Sequence, residues 1–486
     1  MVSDRSPLAI PKLRSSTPAG GRASVSARNN VTINPVRALL ISTYDLGRQS
    51  FGLASAAAAL EANGIDVRCL DLAKQRLDPD LVASSDAVAF FLPMHTATRL
   101  AIPVVDRIRT LNPRARLCAY GLYAPLNEAI LRSHGVEHIL GGEFEDDLAG
   151  TVQGTAGEPV AATTNDGGPR PAVARVTFRV PARDGLPPLS TYASLQLGGA
   201  RRVAGYTEAS RGCKHRCRHC PIVPVYDGRF RIVPIDIVLE DIRRQVAAGA
   251  RHITFGDPDF LNGPRHAIDL VRAFGREFPG LTYDVTIKVE HLLAQPAMIP
   301  LLHETGCLFV TSAVESIDDR VLARLEKGHT RAGFEEVAAL CRAAGLTLVP
   351  TFVAFTPWTT LKGYCELLQA IDALDLIDHV APVQLVIRLL IPRGSRLLEL
   401  DDVGALVGEF SPSTLTYPWR HPIPEVDALQ RRLESIVGHR LMSDRQDVFA
   451  RVWDEAHAAA GEPAKRVEQP RRARAAIPYL NEPWYC

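Results

Sequence analysis

Twice along this chain, short apolar runs of strand character alternate with segments of helical periodicity, and that alternation limits the fold more than any other feature. In the first set, Val36 to Ile41, Ile65 to Leu70, Asp86 to Leu92, Arg116 to Tyr120 and Val136 to Leu140 read as strands. Phe51 to Ala62, Ala101 to Leu111 and Asn127 to Ser133 read as the helices between them, with Asn63-Gly64 stopping the first. Strands this continuous in apolar residues belong to a parallel sheet covered on both faces. Ligands of such sheets bind outside the carboxyl ends of the strands.

The second set starts near Arg202. Gly205 to Ser210, His252 to Phe255, Leu281 to Val289, Leu308 to Val314, Leu346 to Val353 and Val380 to Arg388 read as strands. Ile235, Leu239, Ile242 and Val246 recur at helical spacing before Gly249, and Pro264 opens a helix carrying Ile268, Val271 and Phe274. Six such units are too few to close an eight-stranded barrel, so a partial one is expected, with its reactive groups at the carboxyl ends. Residues 1–33 are rich in Ser, Arg, Pro and Gly and read as a disordered tail, with a transit peptide as the alternative. The expected domains are 34–150, a linker over 151–200, a barrel over 201–407 and a helical extension over 408–486.

A 486-residue chain with 46% hydrophobic and 22% charged residues has the make-up of a globular protein. Its net charge of +1 gives no reason to expect nucleic acid or an anionic membrane as a partner. No apolar run nears the roughly 20 residues needed to span a bilayer. Nine unevenly spaced cysteines argue against a secreted disulfide scaffold and for a reducing, cytoplasmic setting in which thiols remain free for metal.

Cys213, Cys217 and Cys220 stand in a C-x3-C-x2-C spacing on a short basic loop that leaves the first barrel strand. Thiolates select iron–sulfur clusters, zinc or Cu(I). A structural zinc site wants four protein ligands, as does a ferredoxin-type cluster. Three cysteines therefore suggest a cluster with one open iron. A zinc loop completed by His215 or His219, or three unrelated core cysteines, are the alternatives on spacing alone.

This loop resembles the signature of radical S-adenosylmethionine (SAM) enzymes. The resemblance implies a [4Fe–4S] cluster on the three cysteines, SAM chelated to the fourth iron, and a partial (β/α)6 barrel. It places His219 where the family usually has an aromatic residue against SAM. At the strand ends, Asp257 and Asp259 take the place of a carboxylate that meets the SAM ammonium; an Asp-Pro turn capping backbone amides is the alternative. Glu315-Ser316, followed by Glu326-Lys327-Gly328-His329-Thr330, resembles the Glu-Ser…Lys-Gly-His-Thr run of cobalamin-linked members, which makes Glu315 and Ser316 candidates for SAM contact. Lys288 and Arg388 are candidates for the SAM carboxylate or substrate, or for structural ion pairs. Phe355-Thr356-Pro357-Trp358 lacks the glycine of the family's Gly-x-Pro. Lys214, His215, Arg216 and Arg218 would favour an acidic electron donor such as flavodoxin or ferredoxin.

The first α/β segment resembles the Rossmann-like cobalamin-binding domain found ahead of many radical SAM barrels, through Tyr120-Gly121 and the run from Gly135 to Glu145. The Asp-x-His-x-x-Gly motif is missing: Tyr44-Asp45-Leu46-Gly47 has no histidine, and His95 is a loop histidine with only a remote claim to cobalt. Cobalamin therefore stays open as a cofactor. Cys69, Cys118, Cys307, Cys341 and Cys365 read as core residues. The chain stops at Glu482-Pro483-Trp484-Tyr485-Cys486, resembling radical SAM proteins with a CUAEP or CCAEP tail, and Cys486 is expected to be a redox group on a mobile arm, with selenocysteine encoded next. Together these imply a radical SAM enzyme acting on a small molecule or peptide. Cobalamin-dependent methyl transfer to carbon is one outcome and cobalamin-independent modification another; a non-catalytic iron–sulfur or zinc redox protein is the alternative.

Overall fold

A computed structural model describes residues 35–155, 176–438, 444–463 and 479–480. The tail expected over 1–33, the Gly- and Pro-rich piece near 166–171 and Cys486 lie outside the described residues. From Val36 onward the chain is a single compact unit.

Its first part is a five-stranded parallel sheet in the order β2-β1-β3-β4-β5, formed by β1 (Arg37–Ser42), β2 (Asp66–Asp71), β3 (Ala87–Phe91), β4 (Arg116–Tyr120) and β5 (His138–Leu140). Successive side chains alternate between faces. Leu39, Ile41, Val88, Phe90 and Leu117 pack with α2 (His95–Leu111) on one face. Ala38, Leu40, Ala87, Ala89 and Tyr120 pack on the other with α1 (Phe51–Ala62) and α3 (Glu145–Gln153). Both faces need apolar residues, so the strands show no polar alternation. Each buried Leu or Ile contributes on the order of 1.5–3 kcal/mol. The order reverses at β1 and β3, which opens a crevice at their carboxyl ends.

Residues 176–193, which include a 3₁₀ turn at Leu189–Thr191, are stapled to both parts. Arg183 pairs with Asp241 (Nε–Oδ1 2.7 Å, Nη2–Oδ2 2.8 Å) and donates to Gln49 and the Tyr206 carbonyl, while the Tyr192 hydroxyl donates to Asp71 at 2.7 Å. The segment read as linker ends in a strand, β6 (Ser194–Leu197), which pairs antiparallel with β7 (Ala200–Thr207). A short hairpin of β8 (Ser210–Gly212) and β9 (Phe230–Ile232) frames the cysteine loop. Parallel strands β10 (His252–Phe255), β11 (Thr282–Thr286), β12 (Cys307–Glu315) and β13 (Thr347–Phe352) extend the sheet from β7. With β14 (Tyr479–Leu480) antiparallel to β6, the order is β13-β12-β11-β10-β7-β6-β14, an α/β half barrel. Helices α4 (Ile235–Ala247), α5 (Pro264–Glu277), α6 (Val289–Ala294), α7 (Asp319–Arg324), α8 (Arg331–Ala343) and α9 (Leu361–Ala373) follow the strands.

The expected sixth strand over Val380–Arg388 is corrected. Residues 382–385 form a 3₁₀ turn, and the segment meets the sheet only through a single parallel bridge between Phe355 and Arg388. Pro382 has no N–H to give a ladder and fixes its own φ, which favours the turn. Helices α10 (Pro424–Gly438) and α11 (Arg445–Ala460) then press Leu429, Leu433, Val448, Val452 and Trp453 into the barrel core. Among the described residues, no helix is long and apolar enough to cross a membrane.

Candidate active site

The cysteine loop begins at Gly212, whose φ of +73° and 2.5 Å approach to the Arg229 carbonyl leave no room for a Cβ. From there the loop is fastened at both ends. Lys214 N–H donates to Asn262 Oδ1 at 3.1 Å and Asn262 Nδ2 to the Gly212 carbonyl at 3.2 Å. Arg218 N–H donates to the Leu325 carbonyl at 3.0 Å, and the Arg218 side chain reaches Glu326 at 2.7 Å. Cys213 and Cys217 are buried and Cys220 half-buried; all three are free thiols. Backbone N–H groups of His215 and Ile222 hydrogen-bond to the sulfurs of Cys213 and Cys220. Burial pushes the Cys213 thiol up to about 11 and the Cys220 thiol to about 12, so metal must displace their protons on binding. Three thiols on one fixed loop, two buried and one half-buried, with backbone donors on two of the sulfurs, fit a [4Fe–4S] cluster with one iron left open.

Glu315 ends β12 at φ +67°, where the β12/β13 register shifts. Left-handed backbone at a non-glycine strand end costs about 1–3 kcal/mol and persists only when the surroundings dictate it. Here they do: Glu315 Oε1 accepts from His219 Nε2 at 3.1 Å and Lys327 Nζ at 3.3 Å, all within buried or nearly buried surroundings. Burial alone would raise this carboxyl; the Lys327 ammonium and His219 overcome it and hold Glu315 down to about 2. Burial would lower the Lys327 ammonium, but Glu315, with Cys217 and Cys220 adding to it, holds it above its ordinary value. Its role was missed in the sequence, although Lys327 lay inside the quoted Lys-Gly-His-Thr run.

The other strand-end residues divide. Asp257 ties the end of β10 to the loop start, accepting from Ala209 N–H at 2.9 Å and from Ser210 Oγ at 2.5 Å. Asp259 turns one oxygen to Leu261 N–H and the other toward His215 and His291. Lys288, buried beside Cys213, pairs with Glu290 at 3.0 Å. Ser316 Oγ accepts from Asp318 N–H at the start of α7. Arg388 is not brought to the loop: it pairs with Asp427 at 2.8 Å and lies 3.5 Å over the Trp419 ring. His95 begins α2 and contacts the Thr414 carbonyl. His291 carried no sequence signal beyond following Lys288 by three residues.

Where the carboxyl ends of the two sheets meet, a cavity of about 190 Å³ is lined by Phe51, Phe91, Phe144, Glu208, Arg211 and Tyr226. Arg211 is buried among carboxylates, with Nη1–Glu145 Oε1 at 2.5 Å, Nε–Glu208 Oε2 at 3.0 Å and Nη1–Glu143 Oε2 at 3.9 Å. As arranged, the rings of Phe91 and Tyr226 stand in this crevice. Phe91 crowds Gly52, and Tyr226 crowds Gly142, within 2.3 Å of where a Cβ would stand.

Comparison with known proteins bears on both halves. Residues 207–359 match the Radical SAM superfamily. The hopanoid C-3 methylase of Methylococcus capsulatus is 24% identical over 337 residues, 66% of this chain and 64% of that protein. A tRNA-2-methylthio-N(6)-dimethylallyladenosine synthase of Chlorobium phaeovibrioides is 28% identical over 34% of this chain and 38% of its own length. The chain thus spans less than two thirds of the length of these curated relatives. In fold it is similar to OxsB, a cobalamin-dependent SAM radical enzyme solved with aqua-cobalamin and SAM (TM-score 0.68, 13% identity, 88% of this chain and 72% of that one). It is also similar to TsrM, a radical SAM methyltransferase from Kitasatospora setae solved with cobalamin and a [4Fe–4S] cluster (TM-score 0.57, 19% identity, 70% of each chain). With its three-cysteine loop at the carboxyl end of the first barrel strand, this chain carries a radical SAM domain, the enzyme fold that works with a [4Fe–4S] cluster and SAM.

Proposed function

We propose that this protein cleaves SAM reductively and uses the resulting radical to modify carbon in a small-molecule or peptide substrate. The carrying observation is the fixed loop of three free thiols beside the Glu315–Lys327–His219 group. Cys213, Cys217 and Cys220 would hold the cluster, which would supply one-electron reduction of SAM when itself reduced by an external donor. The protein's part is positioning and exclusion of water. Glu315, held ionised, and His219 would bind polar groups of SAM, and Lys288 would offer a positive charge for its carboxylate. Lys214 and Arg216 are exposed at the loop, where they would meet an acidic flavodoxin or ferredoxin.

Two finer readings follow. Cobalamin-dependent methyl transfer is supported by the fold neighbours and by glycines at the ends of β4 and β5, and requires Phe91 and Tyr226 to swing out of the crevice. For the tail, β14 runs parallel to β7, toward the end from which the cysteine loop departs. That direction supports a redox role for Cys486 in the same site. The test of the main reading is anaerobic reconstitution with iron and sulfide, then dithionite and SAM. It expects 5′-deoxyadenosine, and none formed by a fully loaded cluster would end it.

A further inference from the structure

Beside the cysteine loop, three donor side chains from three segments converge. His215 sits between Cys213 and Cys217, Asp259 follows β10, and His291 lies in the first turn of α6. His215 Nε2 is 3.1 Å from His291 Nε2 and 3.7 Å from Asp259 Oδ2, and His291 Nδ1 is 2.8 Å from the same oxygen. One donor atom from each lies within 4.8 Å of the other two. Asp259 is 0% exposed and His291 5%. Although close, Asp259 Oδ2 and His291 Nδ1 do not meet at hydrogen-bonding angles, and neither has another hydrogen-bond partner among the described residues. Leaving such buried groups unmatched costs about 1–3 kcal/mol each. Two convergent lone pairs in a closed site call for a cation.

The donor set defines its class. Two imidazoles and one carboxylate suit first-row divalent ions such as Fe(II), Co(II), Mn(II) or Zn(II). Bonds of about 2.0–2.2 Å set neighbouring donors roughly 2.8–3.6 Å apart; with His291 binding through Nδ1, that nitrogen and His215 Nε2 stand 2.8 and 3.7 Å from Asp259 Oδ2. Glu290 Oε2 stands 3.4 Å from His215 Nδ1. A carboxylate on the far nitrogen is the arrangement that turns the near nitrogen's lone pair toward a metal. Lys288 opposes a cation here, and its ion pair with Glu290 offsets part of that charge.

We propose that His215, Asp259 and His291 bind one divalent transition-metal ion distinct from the cluster, clasping the cysteine loop to the segment after β11. This goes beyond the proposed reaction: it holds Cys213 and Cys217 in place before any cluster is built. Three protein ligands also leave coordination positions open to an oxygen or nitrogen donor.

The test uses the full chain with Cys213, Cys217 and Cys220 all changed to alanine, titrated anaerobically with Co(II). One equivalent is expected, with weak ligand-field bands and no thiolate-to-cobalt charge-transfer band. His291→Gln should weaken it at least tenfold, whereas His457→Gln, which alters the separate Cys365–His457–Glu462 grouping, should not. No saturable binding, a thiolate band, or equal affinity in His291→Gln would overturn the proposal. Should the triple variant not fold, zinc content of cluster-loaded protein decides: one equivalent lost in His291→Gln supports the site, and equal zinc in both overturns it. Neither readout involves SAM cleavage, so failure here leaves the 5′-deoxyadenosine assay standing.

Discussion

The two sheets present their carboxyl ends to a shared space and fill it in opposite ways. The edge of the first sheet contributes glycines and rings: Gly52 and Gly121 let its own Phe91 lie close to the backbone, Gly142 does the same for Tyr226 reaching over from the cysteine-loop side, and Phe144 lines the same crevice. The barrel edge contributes charge and sulfur: Glu208 and Arg211 in the crevice, with the three thiols, Glu315 and Lys327 further along. The same architectural rule thus yields one edge closed by packing and one edge kept polar and reactive. Fold likeness to cobalamin-bound enzymes extends over both edges, yet only the barrel edge carries the groups for its chemistry.

The largest contrast is between losing a ligand and losing a packing group. Cys217→Ala should abolish 5′-deoxyadenosine formation, a loss well beyond the roughly 100-fold that removal of an outer partner costs. Anaerobic iron analysis and product chromatography check this. Product from an iron-loaded Cys217→Ala protein would break the distinction between the edges.

Next comes Arg211→Met. It strands Glu145 and Glu208, whose partner at 2.5 and 3.0 Å is removed, without touching the thiols. Breaking a buried ionic group in this way costs about 3–5 kcal/mol. Denaturant unfolding should show that loss, and adding Glu145→Gln should restore part of it. A midpoint within error of the native protein would mean the crevice is held by packing alone.

Within the barrel edge, the crevice carboxylate and the one beside the thiols should titrate in opposite directions. Glu315 is held at about 2 by Lys327 and His219 against its burial, below an ordinary value of 4.5. Its stabilisation is therefore present above 4.5 and lost as pH falls from 4.5 toward 2. His329, pushed down from 6.5 to about 4 by burial and the nearby Lys327, takes up its proton later in the folded state than in the unfolded chain, so it adds a separate loss as pH falls from 6.5 to 4 and offsets part of the Glu208 slope there. Glu208 is pushed up to about 7 by burial, which outweighs Arg211. The folded state holds that proton more tightly than the unfolded chain, so stability falls as pH rises from 4.5 to 7. Glu208→Gln should flatten the upper slope, and Lys327→Met the lower one. Urea midpoints across pH 3 to 8 would reveal slopes of the same sign if the contrast is false.

Much of this was legible in the chain. The strands of the first sheet and the cysteine loop follow from apolar runs and thiol spacing, because those signals are local. Val380–Arg388 misled for a local reason as well: an apolar run does not reveal that Pro382 turns the backbone away from the sheet. His291, Lys327 and the Arg211 cluster were not legible, since their meaning lies in partners 76, 12 and 66 residues away. Asp257 and Asp259, two residues apart, do different work because one faces backbone N–H groups and the other two imidazoles.

The smallest expected effect separates the glycines of the two edges. At Gly212, an added Cβ meets the Arg229 carbonyl, which is backbone and cannot yield, and φ is already +73°. At Gly142, the Cβ meets only the Tyr226 hydroxyl and ring, at 2.3 to 2.5 Å, and a ring can rotate away. Gly142→Ala should therefore cost only about 1–3 kcal/mol, while Gly212→Ala should cost more and reduce iron loading. The displaced ring has a further consequence. If the crevice excludes corrin because Tyr226 and Phe91 stand in it, native protein purified with hydroxocobalamin should retain little, and Gly142→Ala combined with Phe91→Ala should retain more, read by visible absorbance. Stoichiometric cobalamin on the native protein would show that these rings move on binding, and the closed edge would then be a second reactive one.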